Sequence, residues 1–223
     1  RRQRQMCIRD SIIKRILRVI VRTAIYLYCK VVYRLKVIGK ENIPKEGPVI
    51  YCGNHRSYLD PPLIVVTAGR HVRFMAKEEL TKNKFLKFLG YVFDAIYVKR
   101  DNKEIAALKT TLKALKNKES IAMFPEGTRN GLEKGESVKE GVAFFVLQTG
   151  AKVQPVGIVG GEKPFKRVYV NYGKPLDYSD RVTKKPSKEE LEQVSKEIMD
   201  NIIMLTNICL LYTSDAADDR ISV

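Results

Sequence analysis

The chain has 223 residues, of which 44% are apolar, enough for one domain with a buried core. Its formal net charge of +16 predicts an anionic partner, either nucleic acid or an anionic membrane surface. Because no helix-turn-helix signature, zinc-finger spacing or aromatic RNA-binding motif accompanies this charge, we predict a membrane partner and no nucleic acid.

The two ends differ in character from the rest of the chain. Residues 1–10 and 209–223 resemble translated sequencing-adapter sequence, so we expect both to be non-native; the alternative is ordinary disordered termini. They contribute +3 and −2 to the net charge, so +15 remains between them. Cys29 and Cys52 remain as well, without Cys-x-x-Cys or metal-ligand spacing. This predicts a reducing, cytoplasmic setting and no metal site, with Cys52 as a buried thiol.

Residues 11–34 form the first organised segment, with apolar side chains at helical spacing. Lys14, Arg18 and Arg22 recur every four residues on another face. Because no stretch approaches the roughly 20 apolar residues of a spanning helix, we predict an N-terminal amphipathic helix lying in the membrane interface. Its basic side would face anionic headgroups. The alternative is a helix packed on the core of its own domain, with a solvated basic side.

Residues 35–208 alternate short apolar runs with helical patterns. This alternation predicts an α/β fold: a single domain with a central mixed β-sheet flanked by helices. The predicted strands are residues 35–38, 49–52, 72–75, 95–98, 121–124, 153–159 and 168–172. The predicted helices are residues 61–67, 102–116, 138–148 and 188–206, the last opened by a capping box of Ser187 and Glu190.

Residues 54–60 place a His five residues before an Asp, in a chain with two histidines. His can take and return a proton near neutral pH, and a carboxylate can fix its tautomer and stabilise its charged form. On a straight helix the two side chains would point about 140° apart. Pro61 favours a helix start with Asp60 as N-cap, which leaves His55 in a loop that can fold back. We therefore predict a catalytic pair, His55 and Asp60; the alternative is that Asp60 only caps the helix.

Residues 124–129, Phe-Pro-Glu-Gly-Thr-Arg, end an apolar segment with a sharp bend at Gly127 and a fixed cation, Arg129. A planar guanidinium can bind two phosphate oxygens at once, and Thr128 can donate its hydroxyl. Glu126 would repel a phosphate, so we expect it to orient Arg129 or a substrate hydroxyl. A general base beside an anion clamp is the combination expected for acyl transfer to a phosphorylated alcohol.

The two runs resemble the glycerophospholipid acyltransferase family, particularly its 1-acylglycerol-3-phosphate acyltransferases. Residues 54–60 match the motif Asn-His-x4-Asp, and residues 124–130 match Phe-Pro-Glu-Gly-Thr-Arg-Ser with Asn130 in place of Ser. Residues 95–100 and 153–156 match two weaker motifs, in the same order along the chain.

This resemblance implies roles for individual residues. His55 and Asp60 would be catalytic within an acyltransferase domain spanning residues 35–208. The implied substrate-binding residues are Lys77, Arg100, Glu126, Gly127, Thr128 and Arg129. Pro155 and Val156 fit equally well an apolar wall along the acyl chain and a plain buried strand. No cofactor is implied besides the acyl donor.

The implied reaction moves a fatty acyl group from acyl-CoA or acyl-carrier protein to lysophosphatidate, giving phosphatidate without an acyl-enzyme. The expected location is the cytoplasmic face of the cell membrane, as a peripheral or monotopic protein. One alternative is the same chemistry on another acceptor: glycerol-3-phosphate, another lysophospholipid or an amino-acid lipid. The other is a non-catalytic anionic-lipid-binding protein, which would have no need for the base.

Overall fold

The computed structural model describes residues 2–98, 104–131, 138–161 and 163–218. The α-helices in these residues are Arg2–Val32 (α1), Asp60–Thr67 (α2), Lys84–Val92 (α3), Glu104–Lys116 (α4), Gly141–Thr149 (α5) and Lys188–Asp218 (α6). The strands are Lys36–Ile38 (β1), Val49–Gly53 (β2), Val72–Lys77 (β3), Ile96–Val98 (β4), Ser120–Met123 (β5), Lys152–Val159 (β6) and Tyr169–Tyr172 (β7). Short 3-10 helices occupy Lys40–Asn42, Glu78–Lys82 and Ser179–Arg181.

These strands form one sheet in the order β1-β7-β6-β2-β5-β3-β4. Strands β6 and β7 pair antiparallel, and the other neighbouring pairs are parallel. Strand β2, at the centre, is buried over its whole length, as expected for a parallel strand covered on both faces. The predicted α/β fold with a central mixed sheet is confirmed.

Helices cover both faces of the sheet. The side chains of β2 alternate between two apolar cores: Tyr51 packs in the core that includes Leu63 of α2, and Ile50 packs in the core that includes Ile198 of α6. Helices α1, α2 and α3 contribute to the first core, and α4, α5 and α6 to the second. Pro155 and Val156 are buried in β6, the longest strand.

Every predicted strand is present, with ends that differ by at most two residues. Helix α3 was not predicted, because its nine residues include Gly90 and follow a polar run. Its start signal was nevertheless present: Asn83 is an N-cap whose side chain accepts hydrogen bonds from the N–H groups of Phe85 and Leu86.

The other predicted helices are present with changed ends. The capping box is confirmed, since Ser187 N–H donates to Oε2 of Glu190 at 2.7 Å and Glu190 N–H donates to Oγ of Ser187 at 3.1 Å. Helix α6 continues to Asp218 instead of ending at residue 206, and therefore includes part of the expected tail. Within it, Cys209 is fully buried.

Helix α1 begins at Arg2, earlier than predicted, and two cations of its basic side face the domain. Lys14 and Arg18 hydrogen-bond to the carboxylate of Asp94, in the turn between α3 and β4. This carboxylate attracts the cations toward the domain. The apolar residues Ile16 and Val31 are instead more than half exposed. Among the described residues, no helix is both long and apolar enough to cross a membrane.

Candidate active site

The predicted site residues follow the carboxyl ends of neighbouring parallel strands. Strand β2 leads into His55, β3 ends at Lys77, and β5 leads into residues 124–129. Because parallel strands end at one edge of a sheet, these segments meet there, where ligands of α/β folds are usually bound. Lys77 is exposed at this edge. Arg100, two residues beyond β4, lies outside the described residues.

The loop after β2 folds back as predicted and brings His55 to Asp60. Nδ1 of His55 lies 3.1 Å from Oδ2 of Asp60. The same carboxylate oxygen accepts hydrogen bonds from the backbone N–H groups of Arg56 and Ser57, each at 2.7 Å. Asp60 is 1% exposed. A buried carboxylate held by three donors is a rigid anchor for the imidazole.

We predicted Asp60 as the N-cap of helix α2, but its side chain does not cap this helix. The helix begins at Asp60 itself, and the N-cap position is Leu59, which has no side-chain capping bond. The prediction of the N-cap was wrong because the carboxylate turns back toward the preceding loop, where it accepts two backbone N–H groups. Pro61 does lie in the first helical turn, as its fixed φ favours.

The imidazole of His55 is fixed on a second side by an aromatic ring. It stacks on Phe124, with 4.3 Å between ring centroids and 25° between ring planes. Since Nδ1 is directed at a carboxylate, we assign the proton to Nδ1 and the lone pair to Nε2. Within the described part of the chain, Nε2 makes no hydrogen bond. With 18% of the side chain exposed, Nε2 can accept a proton from a substrate.

The backbone of His55 is held by the segment after β5. Its N–H donates to Oε1 of Glu126 at 2.9 Å, and its carbonyl accepts from the N–H of Asn130 at 2.7 Å. Glu126 is 4% exposed. This oxygen of Glu126 orients the loop that carries the base; the predicted role of the carboxylate in orienting Arg129 or a substrate hydroxyl stays a prediction. No local pattern signals a bond between residues so distant in sequence.

Asn54 fixes the start of the same loop and was also missed as a functional residue. Its side-chain amide donates to the carbonyl of Ile158 at 2.8 Å, and its oxygen accepts from the N–H of Ile158 at 2.7 Å. These bonds tie the end of β2 to β6. Its place at the first position of the Asn-His-x4-Asp motif, directly after a predicted apolar strand and Gly53, was the available signal.

Gly127 makes the predicted bend. Its φ of 69° lies in the left-handed region, and its N–H donates to the carbonyl of Phe124 at 3.0 Å. A Cβ here would lie 3.0 Å from Cγ of Lys139, whose side chain lies along the turn. The N–H of Lys139 donates to the carbonyl of Pro125 at 2.8 Å. Helix α5 begins at Gly141, three residues later than predicted.

Arg129 contacts the His-containing loop through an aromatic ring. Its guanidinium carbon lies 3.6 Å from the ring centroid of Tyr58, a cation–π stack. Both side chains are exposed. Next to Arg129, Oγ1 of Thr128 is buried and has no hydrogen-bond partner among the described residues. Tyr58 was not predicted as a site residue, although its place inside the first motif was a signal.

Cys52 lies close to the site but cannot serve as its nucleophile. The side chain is fully buried, and burial raises the pKa of its thiol far above the ordinary value. The thiol is therefore neutral and unreactive. The predicted buried thiol is confirmed.

Comparison with known proteins identifies the family of the chain. The acyltransferase family model matches residues 34–159, more than half of the chain. The chain belongs to the acyltransferase family. The matched region contains the His55–Asp60 pair, the turn at Gly127 and Arg129.

Relatives of this acyltransferase-family chain carry more specific names. A 1-acyl-sn-glycerol-3-phosphate acyltransferase of Borreliella burgdorferi is 32% identical over 143 residues, which cover 63% of this chain and 57% of that protein. One of Bacillus subtilis is 29% identical over 183 residues, 78% of this chain and 88% of that protein. The chain thus spans little more than half the length of the first of these relatives.

A solved structure supports the same fold. The crystal structure of the 1-acyl-sn-glycerophosphate (LPA) acyltransferase PlsC from Thermotoga maritima aligns with a TM-score of 0.59 at 30% sequence identity. The alignment covers 78% of this chain and 71% of that one.

Proposed function

We propose that this chain transfers a fatty acyl group from an acyl thioester to the free hydroxyl of lysophosphatidate, giving phosphatidate. The observation that carries the proposal is the geometry at His55: Nδ1 faces a buried carboxylate and Nε2 is available. The names of the relatives supply the acceptor. The thioester donor is acyl-CoA or acyl-carrier protein, because both are acidic and suit a chain of net charge +16.

His55 acts as general base and then as general acid. As the acceptor hydroxyl oxygen attacks the thioester carbonyl carbon, its proton passes to Nε2 of His55. The tetrahedral oxyanion collapses, the C–S bond breaks, and the leaving sulfur takes the proton back from His55. The acyl group goes directly to the acceptor, so no acyl-enzyme forms.

Asp60 stabilises the imidazolium that exists between the two proton transfers. Its carboxylate lies 3.1 Å from Nδ1 and is almost completely buried, so water screens the attraction weakly. Its two further bonds, from Arg56 and Ser57, hold it in place before the substrate arrives. Pre-organisation of this kind spares the site from reorganising during the reaction.

The phosphate of the acceptor is bound at the edge where Arg129 and Lys77 lie. Arg129 is positioned on Tyr58 and keeps its N–H groups for oxygen ligands. Thr128, whose Oγ1 has no partner among the described residues, adds a donor hydroxyl, and Gly127, which has no side chain, allows close backbone approach. Arg100 belongs to the proposed set through the family motif alone.

The reaction takes place at the cytoplasmic face of the membrane, with the chain bound peripherally. Two neighbouring helices on one sheet face, α1 and α3, expose large apolar side chains. These are Ile12, Ile13, Ile16, Val19, Ile20, Leu27, Tyr28 and Val31 of α1, and Phe85, Leu86, Phe88 and Tyr91 of α3. Such a surface enters the headgroup–acyl boundary, while the surrounding cations attract anionic lipids.

Thiol release from palmitoyl-CoA, measured with a panel of acceptors, tests the proposal. Lysophosphatidate should support release, with phosphatidate as the product by mass spectrometry. Monoacylglycerol, which lacks the phosphate, should react poorly, and Arg129→Ala should reduce the difference between the two acceptors. Equal use of both acceptors by the unmodified chain would contradict the phosphate site. Failure of every acceptor with both palmitoyl-CoA and palmitoyl-acyl-carrier protein would contradict the enzyme activity.

A further inference from the structure

A basic cavity lies at the edge of the sheet opposite the active site. It has a volume of about 280 Å³ and lies between α1 and the turn that joins α2 to β3. Its lining includes the cations Arg15, Arg18, Arg22 and Arg70, together with His71. Strand β3 starts at this edge and ends at Lys77 on the other, about 17 Å away at 3.3 Å per residue. The cavity is therefore separate from the site of His55.

Two of these cations are fixed by backbone carbonyls. Arg70 donates to the carbonyls of Pro44 and Gly47, at 3.2 and 2.9 Å. Arg18 donates from Nε to the carbonyl of Val92 at 2.9 Å, and from another nitrogen to Asp94. Both guanidinium groups are thus held at the cavity before any ligand arrives, which lowers the entropic cost of binding.

The remaining arginines of the cavity lack acidic partners. Arg15 and Arg22 form no salt bridge with any residue that the structure describes. Asp94 is already shared by Lys14, Arg18 and His71, with 3.2 Å between its Oδ2 and Nε2 of His71. Arg15, Arg18 and Arg22 follow at spacings of three and four residues, so they share one helix face and repel one another. Such a face needs an anion from outside to balance it.

We propose that this cavity binds a phosphate group, carried by an anionic phospholipid headgroup or present as a free phosphate. A guanidinium group can bind two phosphate oxygens at once, and Arg15 and Arg22 line the same cavity as the fixed Arg18 and Arg70. Nδ1 of His71 is buried without a hydrogen-bond partner in the described residues, beside the cavity that this residue lines. Val19 lines the cavity and belongs to the exposed apolar row of α1, which would continue along the acyl chains of a lipid.

The chain's two histidines provide a direct test, because one lies in each site. Their ring C–H signals are followed by NMR in maltoside micelles while inorganic phosphate or short-chain dihexanoyl phosphatidylglycerol is added. Dihexanoylglycerol, which lacks the phosphate, serves as the neutral control. A saturable shift of the His71 signal with either phosphate ligand is the expected result. The His55 signal reports the active site separately, so the acyl-transfer proposal can fail without affecting this one.

Matched charge variants identify the ligand-binding residues. The double variant Arg15→Gln and Arg22→Gln should raise, about tenfold or more, the ligand concentration at which the shift of the His71 signal is half complete. This concentration is the midpoint. The pair Lys113→Gln and Lys116→Gln removes the same charge from exposed positions of α4, on the other sheet face, and should leave it unchanged.

The midpoints also distinguish the source of the phosphate. A lower midpoint for phosphatidylglycerol than for inorganic phosphate assigns the cavity to a lipid headgroup, and equal midpoints assign it to phosphate as such. No shift of His71 with either ligand would overturn the proposal. The same midpoint in both variant pairs would also overturn it.

Discussion

The backbone N–H of His55 donates a 2.9 Å hydrogen bond to the buried carboxylate of Glu126, across 71 residues of sequence. The two most informative motifs of the chain are thus in direct contact. The first motif carries the base, and the second holds the backbone on which the base stands. Oε1 of Glu126 is directed into the protein, where the N–H of His55 is its hydrogen-bond donor.

Glu126→Ala should lower kcat about 10- to 100-fold, because a base displaced by a fraction of an ångström transfers protons poorly. The KM for lysophosphatidate should change little. Glu126→Gln keeps an oxygen that can accept the His55 N–H and should retain more activity. Steady-state thiol release gives both constants. If Glu126→Ala raised KM and left kcat intact, Glu126 would instead contact the acceptor.

Asp60→Asn should reduce kcat about 10²- to 10⁴-fold, since a neutral amide neither holds the imidazole in the required tautomer nor stabilises the imidazolium. The exposed Asp180, in a 3-10 helix, supplies the matched control: Asp180→Asn should behave as the unmodified chain. Thiol release with saturating substrates measures the effect. Similar kcat values for Asp60→Asn and Asp180→Asn would show that Asp60 does not take part in catalysis.

Tyr58→Ala should raise the KM for lysophosphatidate about two- to fivefold, the size expected from losing an exposed cation–π contact with Arg129. Tyr58→Phe keeps the ring and should keep the KM. Arg129→Ala should have a larger effect, about 10-fold or more, because a charged hydrogen bond to phosphate is lost. Equal KM values for Tyr58→Ala and Tyr58→Phe would show that the ring does not position Arg129.

Asp94→Asn should loosen α1 from the domain and lower the free energy of unfolding by about 1–3 kcal/mol near neutral pH. Burial acts to raise the pKa of Asp94, but hydrogen bonds from His71 and Lys14 and the charge of Arg18 lower it well below its ordinary value. The stabilisation is therefore present above the unfolded pKa of about 4 and lost as the pH falls toward the folded pKa.

Urea unfolding of the unmodified chain and Asp94→Asn measures this dependence. The difference in stability between them should be largest near neutral pH and shrink below about pH 4. A difference that stayed constant down to about pH 3 would mean that Asp94 does not contribute through its charge.

Replacing Ile16 and Ile20 with Ser should weaken binding to vesicles containing phosphatidylglycerol about tenfold or more, because each side chain loses apolar burial in the membrane. Ile203 and Met204 of α6 are exposed on the opposite sheet face, and their replacement by Ser provides the control. Vesicle co-sedimentation measures both pairs. Equal losses in the two pairs would contradict the assignment of the docking face to α1.

Much of the fold could be predicted because its strands are short, continuous apolar runs. Such a run is visible in the local sequence and needs no knowledge of distant contacts. The pairing of His55 with Asp60 could also be predicted. Pro61 indicated that a helix starts near Asp60, which left His55 in a loop that can fold back onto the carboxylate. Helix α3 escaped because Gly90 weakens its helical pattern, although Asn83 marked its start.

Contacts between distant segments could not be predicted. The bond from His55 to Glu126 and the stack of Arg129 on Tyr58 depend on β2 and β5 lying side by side, which no local pattern specifies. The contacts that hold α1 on the domain could not be predicted for the same reason. Nothing in the sequence indicates that Lys14 and Arg18 pair with the distant Asp94.

The most direct test of the central claim is lysophosphatidate-dependent thiol release by His55→Ala, compared with the unmodified chain and with folding checked by circular dichroism. The account predicts a folded variant whose kcat falls by about 10²–10⁴, because the group that takes the acceptor proton is gone. A folded His55→Ala variant with near-normal kcat would contradict the assignment of His55 as the general base.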